Sequence, residues 1–266
     1  MKKIIFTAGL CFFIISNIIY AQTETNTSFA NQMNTMFSPL NKNNVPHGIL
    51  LDYGMEFTNV PAFNGALTDS TYTNLTVVKQ IYKTLLSSRI RNVSTGFVTP
   101  QTYDNNLKNN RTSNVITLNG LYFKYAAFVD NAIGNGKLTY TNNKFYDKYV
   151  NGVWQNPYVE KKTFVLAATT KVYKGFDAQV KLPSSIFYSN VLGEVQSIQI
   201  DFGNGQGYVT IPFNQIVNVI YTSEGVKTWI YKLNLTNNAT LYSRSRIKIE
   251  EGLTRIPWSQ RHGEQN

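Results

Sequence analysis

The chain has 266 residues, with 25 basic and 15 acidic side chains and a formal net charge of +10. Its one cysteine, Cys11, lies in an apolar N-terminal segment. If that segment is removed, the chain that remains can form no disulfide, no cysteine-ligated zinc site and no cysteine nucleophile. Its stability must then come from a hydrophobic core, for which one or two domains provide enough chain.

Residues 1–21 predict a secretory signal peptide. Lys2 and Lys3 precede the mostly apolar run Ile4 to Tyr20, and Ala21 supplies a small residue for cleavage. The run is short for a membrane span, and no stop-transfer charges follow it. We therefore expect export to the periplasm, the cell surface or the medium, with no membrane span in the mature chain.

Helical patterns occupy the first part of the mature chain. Residues 22–44 form a polar segment in which Ser28 is placed to cap a short helix. Residues 45–160 predict an α+β region whose first helix runs from Leu75 to Ile90 after a threonine cap at Thr71 or Thr73. Thr99 and Pro100 begin a second helix, because proline is favoured at the first helical position.

Strand patterns begin at Val115 and are separated by asparagine-rich pairs. These pairs are Asn119-Gly120, Asn135-Gly136, Asn142-Asn143 and Asn151-Gly152. Both residues of an Asn-Gly pair tolerate a positive φ, so the pair is typical of a hairpin turn. The pattern predicts a β-meander that ends before residue 160.

Residues 161–250 predict about seven further strands, with a glycine-rich turn at Asp201-Phe202-Gly203-Asn204-Gly205. A strand follows this loop, which argues against a phosphate cradle because that site needs a helix N-terminus. Together with the corner from Tyr221 to Gly225, the loop resembles PKD-type immunoglobulin-like domains. Asn204 departs from the family's usual Asp, and its usual Trp is missing before Asp201. The resemblance implies a β-sandwich that serves as a spacer or adhesion module.

A wider resemblance covers residues 45–249. The segments His47 to Phe57, Ser88 to Ile90, Phe145 to Tyr149 and Ser197 to Lys248 are similar to the N-terminal region of long secreted proteins of Flavobacterium-like Bacteroidetes. The resemblance implies a stand-alone or shortened N-terminal module, and it carries over no catalytic residue. Residues 251–266 are polar and predict a tail.

Three residues close in sequence are candidate catalytic groups. His47 would act as a base, and Asp52 and Glu56 as a glycosidase carboxylate pair. On a continuous strand, Asp52 and Glu56 share a face but His47 and Asp52 do not. A loop role for His47, and solvated or capping roles for the carboxylates, are the competing interpretations.

Five aromatic residues of the meander are candidates for a sugar-binding platform. They are Tyr122, Tyr140, Tyr146, Tyr149 and Trp154. Aromatic residues are also good strand formers and core fillers, so burial is the competing interpretation. A glycan or cell-surface polymer is the partner that this interpretation implies.

Asp201 and Asn204 are the candidate metal ligands, with oxygen donors suited to Ca²⁺. A single carboxylate is a weak donor set, and turn formation explains both residues. No His-x-x-x-His spacing occurs, so we expect no metal and no cofactor.

The positive charges are scattered, which is typical of a solvated surface, and we expect no nucleic-acid partner. A polyanion bound through Arg244, Arg246 and Lys248 is an alternative. We predict a mainly β protein, with a small α+β region and an immunoglobulin-like sandwich, that acts as a non-enzymatic extracellular module. The alternative function is a secreted glycoside hydrolase using Asp52 and Glu56.

Overall fold

The computed structural model describes residues 28–252. The predicted signal peptide and residues 253–266 of the predicted tail lie outside this range. Of the described residues, 28–44 and 128–159 form one compact unit, and 45–127 and 160–252 form a second. We call them unit 1 and unit 2. Within the described range, none of the helices has the length and apolar character needed to cross a membrane.

The described elements are mainly strands, as predicted. The helices are α1 (28–36), α2 (Leu75–Ser87) and α3 (Pro100–Asn109). The strands are β1 (Tyr72–Thr73), β2 (Val115–Phe128), β3 (Leu138–Thr141), β4 (Lys144–Asp147), β5 (Tyr149–Val150), β6 (Val153–Trp154), β7 (Tyr158–Ala168), β8 (Val172–Lys174), β9 (Asp177–Lys181), β10 (Phe187–Ser189), β11 (Val195–Asp201), β12 (Tyr208–Thr210), β13 (Ile216–Ile220), β14 (Gly225–Leu235) and β15 (Thr240–Glu250).

Two sheets dominate the fold. A six-stranded sheet has the order β1-β15-β14-β11-β12, with β8 also paired to β15. A five-stranded sheet has the order β10-β2-β9-β13, with β7 also paired to β2. Several pairs are parallel, including β1 with β15 and β2 with β9. Because β1 and β2 precede residue 161, the sheets are not built from residues 161–250 alone.

Unit 2 has two hydrophobic cores, one on each face of the five-stranded sheet. One core lies between the two sheets and includes Leu118, Tyr122 and Trp229. The other lies between the five-stranded sheet and helices α2 and α3, and it includes Leu121 and Phe123. Successive residues of a strand point to opposite faces, so β2 is buried on both sides along most of its length.

The prediction of a turn at Asn119-Gly120 is wrong, because both residues lie inside β2. Asn119 is fully buried, accepts a hydrogen bond from the Tyr103 hydroxyl at 2.6 Å and donates one to the Ile186 carbonyl at 2.7 Å. A Cβ on Gly120 would lie 2.2 Å from Leu166 Cδ1. Gly120 is therefore required by close packing and not by turn formation.

Other turns are confirmed. Asn142 and Asn143, with φ of 49° and 57°, connect β3 to β4. Asn151 and Gly152, with φ of 50° and 78°, connect β5 to β6. The glycine-rich loop after Asp201 joins the antiparallel strands β11 and β12, as predicted. These turns form where local residues supply the positive φ that a tight hairpin needs.

The helix boundaries are partly as predicted. Thr99 caps α3 through a 3.1 Å hydrogen bond from the Thr102 N–H. The predicted caps Thr71 and Thr73 of α2 are wrong, because the Asn74 side chain accepts the Val77 N–H at 3.0 Å. The hydroxyl of Thr73 instead donates to the backbone of neighbouring strands.

Candidate functional site

The two candidate carboxylates Asp52 and Glu56 are exposed. Asp52 lies in a short 3-10 turn, Leu51–Tyr53, and Glu56 lies in the loop that follows. The segment is not a strand, so the alternation that would place both side chains on one face does not apply.

His47 has a different carboxylate partner from the one that its sequence neighbours suggested. Its Nε2 lies 2.7 Å from Glu160 Oε2. Lys124 Nζ bridges this carboxylate to a second one, at 3.4 Å from Glu160 Oε1 and 2.7 Å from Glu194 Oε1. The Tyr122 hydroxyl donates to Glu194 Oε2 at 2.9 Å. The side chains form a polar chain across β2, β7 and two loops, which sequence spacing alone could not indicate.

This polar chain is suited to ion pairing rather than to acid catalysis. Partial burial acts to raise the pKa of Glu160, but the hydrogen bond with His47 and the charge of Lys124 outweigh it and lower the pKa. Burial likewise acts to raise the pKa of Glu194, and the hydrogen bonds from Lys124 and Tyr122 outweigh it. A glycosidase acid needs the opposite shift, because it must hold a proton near neutral pH.

The predicted metal ligands are engaged in turn formation. Asp201 Oδ1 accepts the Gly203 N–H at 2.9 Å, which is an Asx turn. Asn204 Nδ2 donates to Gln206 Oε1 and to the Ile220 carbonyl, both at 3.1 Å. Between residues 28 and 252, no group of three or more His, Cys, Asp or Glu side chains could hold a metal ion.

The five aromatic candidates are not on one surface. The Tyr122 ring lies in the core between the two sheets with 0% exposure, so it must be removed from the candidates for a surface platform. Tyr140 and Tyr149 are 42% and 55% exposed. Tyr146 and Trp154 are half-buried, and Trp154 Nε1 donates to Asp147 Oδ1 at 2.9 Å. Two tyrosines of unit 1 therefore present much of their rings to solvent.

One of these exposed tyrosines lines a groove in unit 1. The groove has a volume of about 670 Å³ and is open on one side. It is lined by Ser28, Asn31, Gln32, Thr35 and Met36 of α1 and by Tyr140 and Asn143 of the β3–β4 hairpin. None of these seven residues carries a charge.

The elements of unit 1 position this lining through a small aromatic core. Phe37, directly after α1, is buried, and its ring centroid lies 5.0 Å from that of Phe145 on β4. The ring of Phe145 in turn lies 4.8 Å from that of Tyr140. The helix and the hairpin are thus held together beneath the groove.

The groove offers free hydrogen-bonding groups. Within residues 28–252, the side-chain amides of Asn31 and Gln32 make no hydrogen bond, and both residues are exposed. The Thr35 hydroxyl donates to the Asn31 carbonyl at 2.9 Å. Sequence reasoning identified Tyr140 and predicted a short helix after Ser28, but it did not place this helix beside Tyr140. The signal was present, because residues 31, 32 and 35 are polar and fall on the side of α1 away from Met33 and Phe37.

A scan against models of protein families gives no match, and a search of curated proteins gives none either.

Proposed function

We propose that the protein is an exported, non-catalytic module that contacts an uncharged glycan through the groove of unit 1. The observation that carries this proposal is the uncharged, amide-rich lining of the groove beside the exposed ring of Tyr140. Export rests on the signal-peptide pattern of residues 1–21.

The chemistry of the lining supports a sugar over a charged ligand. Side-chain amides both donate and accept hydrogen bonds, and so they match the hydroxyl groups of a sugar. An aromatic ring supplies an apolar face and, in tyrosine, a polar tip. A charged ligand would find no opposite charge among the seven lining residues.

The size of the groove supports a ligand of a few sugar units. A volume of about 670 Å³ lies within the range of small-ligand sites, roughly 300–1,000 Å³. The groove is open to solvent, and a ligand that forms part of a longer chain can enter it from that side. We therefore propose a short stretch of a longer polymer, such as one at a cell surface, as the ligand.

The larger unit serves in this proposal as a rigid scaffold. Two sheets that share one core, with the T-shaped contact of Trp229 and Phe202 at 5.0 Å inside it, fit an immunoglobulin-like sandwich of the PKD type. The parallel pairs of β15 with β1 and β8 depart from the antiparallel pattern of that family. The kinship with secreted Bacteroidetes proteins is also part of the proposal.

The glycoside hydrolase alternative has no comparable support. Asp52 and Glu56 are both exposed and do not line the groove. Incubation with a panel of polysaccharides tests it directly. Release of reducing ends by the wild type that the Glu56→Gln variant abolishes would establish the hydrolase and refute the non-catalytic proposal.

Binding to an array of uncharged oligosaccharides tests the proposed function. We expect the Tyr140→Ala variant to bind at least about fivefold more weakly than the wild type, because the loss of an aromatic contact in a site removes more than about 1 kcal/mol. Tyr208→Ala is the matched control, since Tyr208 is 41% exposed and lies on β12 of unit 2. The proposal fails if no uncharged glycan binds or if both variants bind alike.

A further inference from the structure

The outward face of the six-stranded sheet carries a second group of functional side chains. On β15, Ser243, Ser245 and Ile247 are buried, so alternation places Arg244, Arg246 and Lys248 on the opposite face. Tyr72 on β1 pairs in register with Arg244. We call Tyr72, Arg244 and Arg246 the Arg–Tyr cluster.

Both arginines of the cluster stack on one ring. The guanidinium carbon of Arg246 lies 3.8 Å from the centroid of the Tyr72 ring, and that of Arg244 lies 4.2 Å away. The contact between the hydroxyl and Arg246, with the charges of both arginines, lowers the pKa of Tyr72. The ring fixes the planes of two guanidinium groups. Arg246 is exposed, whereas the side chain of Arg244 is only 15% exposed.

The positive charge of the cluster is only weakly compensated. The nearest carboxylate is that of Asp69, at 3.8 Å from Arg244, and its side chain is fully exposed. Arg244 also donates to the Thr68 carbonyl, while its Nε is buried without a partner. Arg246 is exposed and forms no ion pair within residues 28–252. Two adjacent cations with so little opposite charge nearby favour the binding of an anion.

The surroundings of the cluster favour a chain over a single ion. Residues 244, 246 and 248 recur about every 6.8 Å along the strand, because a strand rises about 3.4 Å per residue. Of these, Lys248 is already paired with Glu250, at 2.8 Å between Nζ and Oε1. Lys232 on β14 faces the same side, with its Nζ 5.6 Å from the ring of Tyr208. The face thus combines separated cations with aromatic rings.

We propose that the Arg–Tyr cluster is a second binding site, for the carboxylate or sulfate groups of an acidic polysaccharide. A guanidinium group can donate two parallel N–H hydrogen bonds to such an anion. Glu250 and Asp201 interrupt the same face, which disfavours the continuous phosphate backbone of a nucleic acid. The site lies in unit 2 and does not depend on the groove of unit 1.

Isothermal titration of the mature protein with four probes tests this proposal. The probes are a heparin-derived oligosaccharide, an oligogalacturonate, a cello-oligosaccharide and a short DNA duplex, each at low and at moderate salt. We expect binding of the sulfated or the carboxylated probe that weakens with salt, and the stronger of these two identifies the anionic group. No binding of either acidic probe, binding of both that does not weaken with salt, or tighter binding of the duplex than of both acidic sugars would overturn the proposal. Binding of the uncharged probe is attributed to the groove of unit 1 and should not change with salt.

Charge variants locate the site. Arg246→Gln should weaken binding of the acidic probe roughly tenfold, because one charge-assisted contact is lost. Arg246→Lys keeps the charge but loses the bidentate geometry, and we expect an intermediate loss. Lys108 is exposed and lies on α3, which packs on the five-stranded sheet. Lys108→Gln therefore removes an equal charge away from the cluster and should leave binding unchanged. Equal affinity of Arg246→Gln and wild type would refute the assignment. Tyr140→Ala should leave acidic-probe binding unchanged.

Discussion

In unit 2, the tyrosines of β2 and β14 lie in the core, whereas in unit 1 two tyrosines of the hairpin strands face solvent. Tyr122, Tyr125 and Tyr231 have 0% exposure, while Tyr140 and Tyr149 are 42% and 55% exposed. β2 is covered on both faces, but β3–β4 and β5–β6 are two-stranded sheets with an open side. A strand tyrosine can therefore be part of the core, as in unit 2, or be available for binding a ligand, as in the hairpins of unit 1.

Two of these core tyrosines, Tyr122 and Tyr231, also use their hydroxyl groups within unit 2, whereas the Tyr125 hydroxyl is buried without a partner. Tyr231 and Ser245 share a hydrogen bond of 2.6 Å in the core. Burial raises the pKa of Tyr231 and of Tyr122, which keeps both phenols neutral. A tyrosine of this kind holds a core together, and its substitution affects stability before it affects any ligand.

The largest expected effect compares a buried tyrosine with an exposed one. Tyr231→Ala should lower the free energy of unfolding by about 3–5 kcal/mol, because it leaves a large cavity and an unpaired Ser245 hydroxyl. Tyr149→Ala should change it by less than about 0.5 kcal/mol, because its ring is exposed. Urea unfolding followed by fluorescence measures both. Similar losses of unfolding free energy for the two variants would contradict the distinction between a core tyrosine of unit 2 and an exposed tyrosine of unit 1.

A smaller effect separates two glycines that follow an asparagine. Gly120→Ala should cost more than about 2 kcal/mol, because its Cβ would overlap Leu166 and the Val165 carbonyl at 2.6 Å. Gly152→Ala meets no atom within 4 Å and should cost about 1 kcal/mol, from the positive φ alone. The same urea experiment ranks them. A larger loss for Gly152→Ala would contradict the packing role of Gly120.

The smallest expected effect is a change in how the stability of the protein depends on pH. The pKa values of Glu160 and Glu194 are lowered in the folded state, so their contribution to stability is complete above 4.5, the ordinary pKa of a glutamate side chain. It is lost as the pH falls through the lowered values. Lys124→Met removes the cation between them, and we expect a loss of about 1 kcal/mol or less at neutral pH. This loss should shrink as the pH falls below the ordinary glutamate value, because both carboxylates then take up protons.

Lys108→Met is the control for the acid experiment, because Lys108 forms no ion pair in the described part of the chain. The difference in unfolding free energy between Lys108→Met and the wild type should stay constant across the same pH range. If the loss of unfolding free energy caused by Lys124→Met grows in acid, the assigned direction of the two glutamate pKa shifts is wrong. Unfolding midpoints in urea at each pH give both comparisons.

Features fixed by neighbouring residues could be predicted from the sequence. The Thr99 cap and the turns at Asn142-Asn143 and Asn151-Gly152 depend on groups within a few positions, and the structure confirms them. Asn119-Gly120 has the sequence that is typical of a hairpin turn. Its role is instead set by contacts with Leu166 and Tyr103, which are distant in sequence. Local pattern cannot distinguish the two cases.

The candidate sites show the same division. Strand alternation alone groups Arg244 with Arg246, but nothing in the sequence indicates that Tyr72 pairs beside them. Tyr122 and Tyr140 both occupy strands with turn signals nearby, and only the layers packed on β2 reveal that one is buried. The partner of Tyr140 in the groove, α1, is brought there by packing of Phe37 against Phe145.

The central claim is that unit 1 binds an uncharged glycan through its groove. The most direct measurement is an NMR titration of the isotope-labelled mature protein with the uncharged oligosaccharide that binds best on the array. We predict that shift changes concentrate at residues 31–36 of α1 and at Tyr140 and Asn143. Changes concentrated on β15 and β14, or no changes at saturating ligand, would contradict the account.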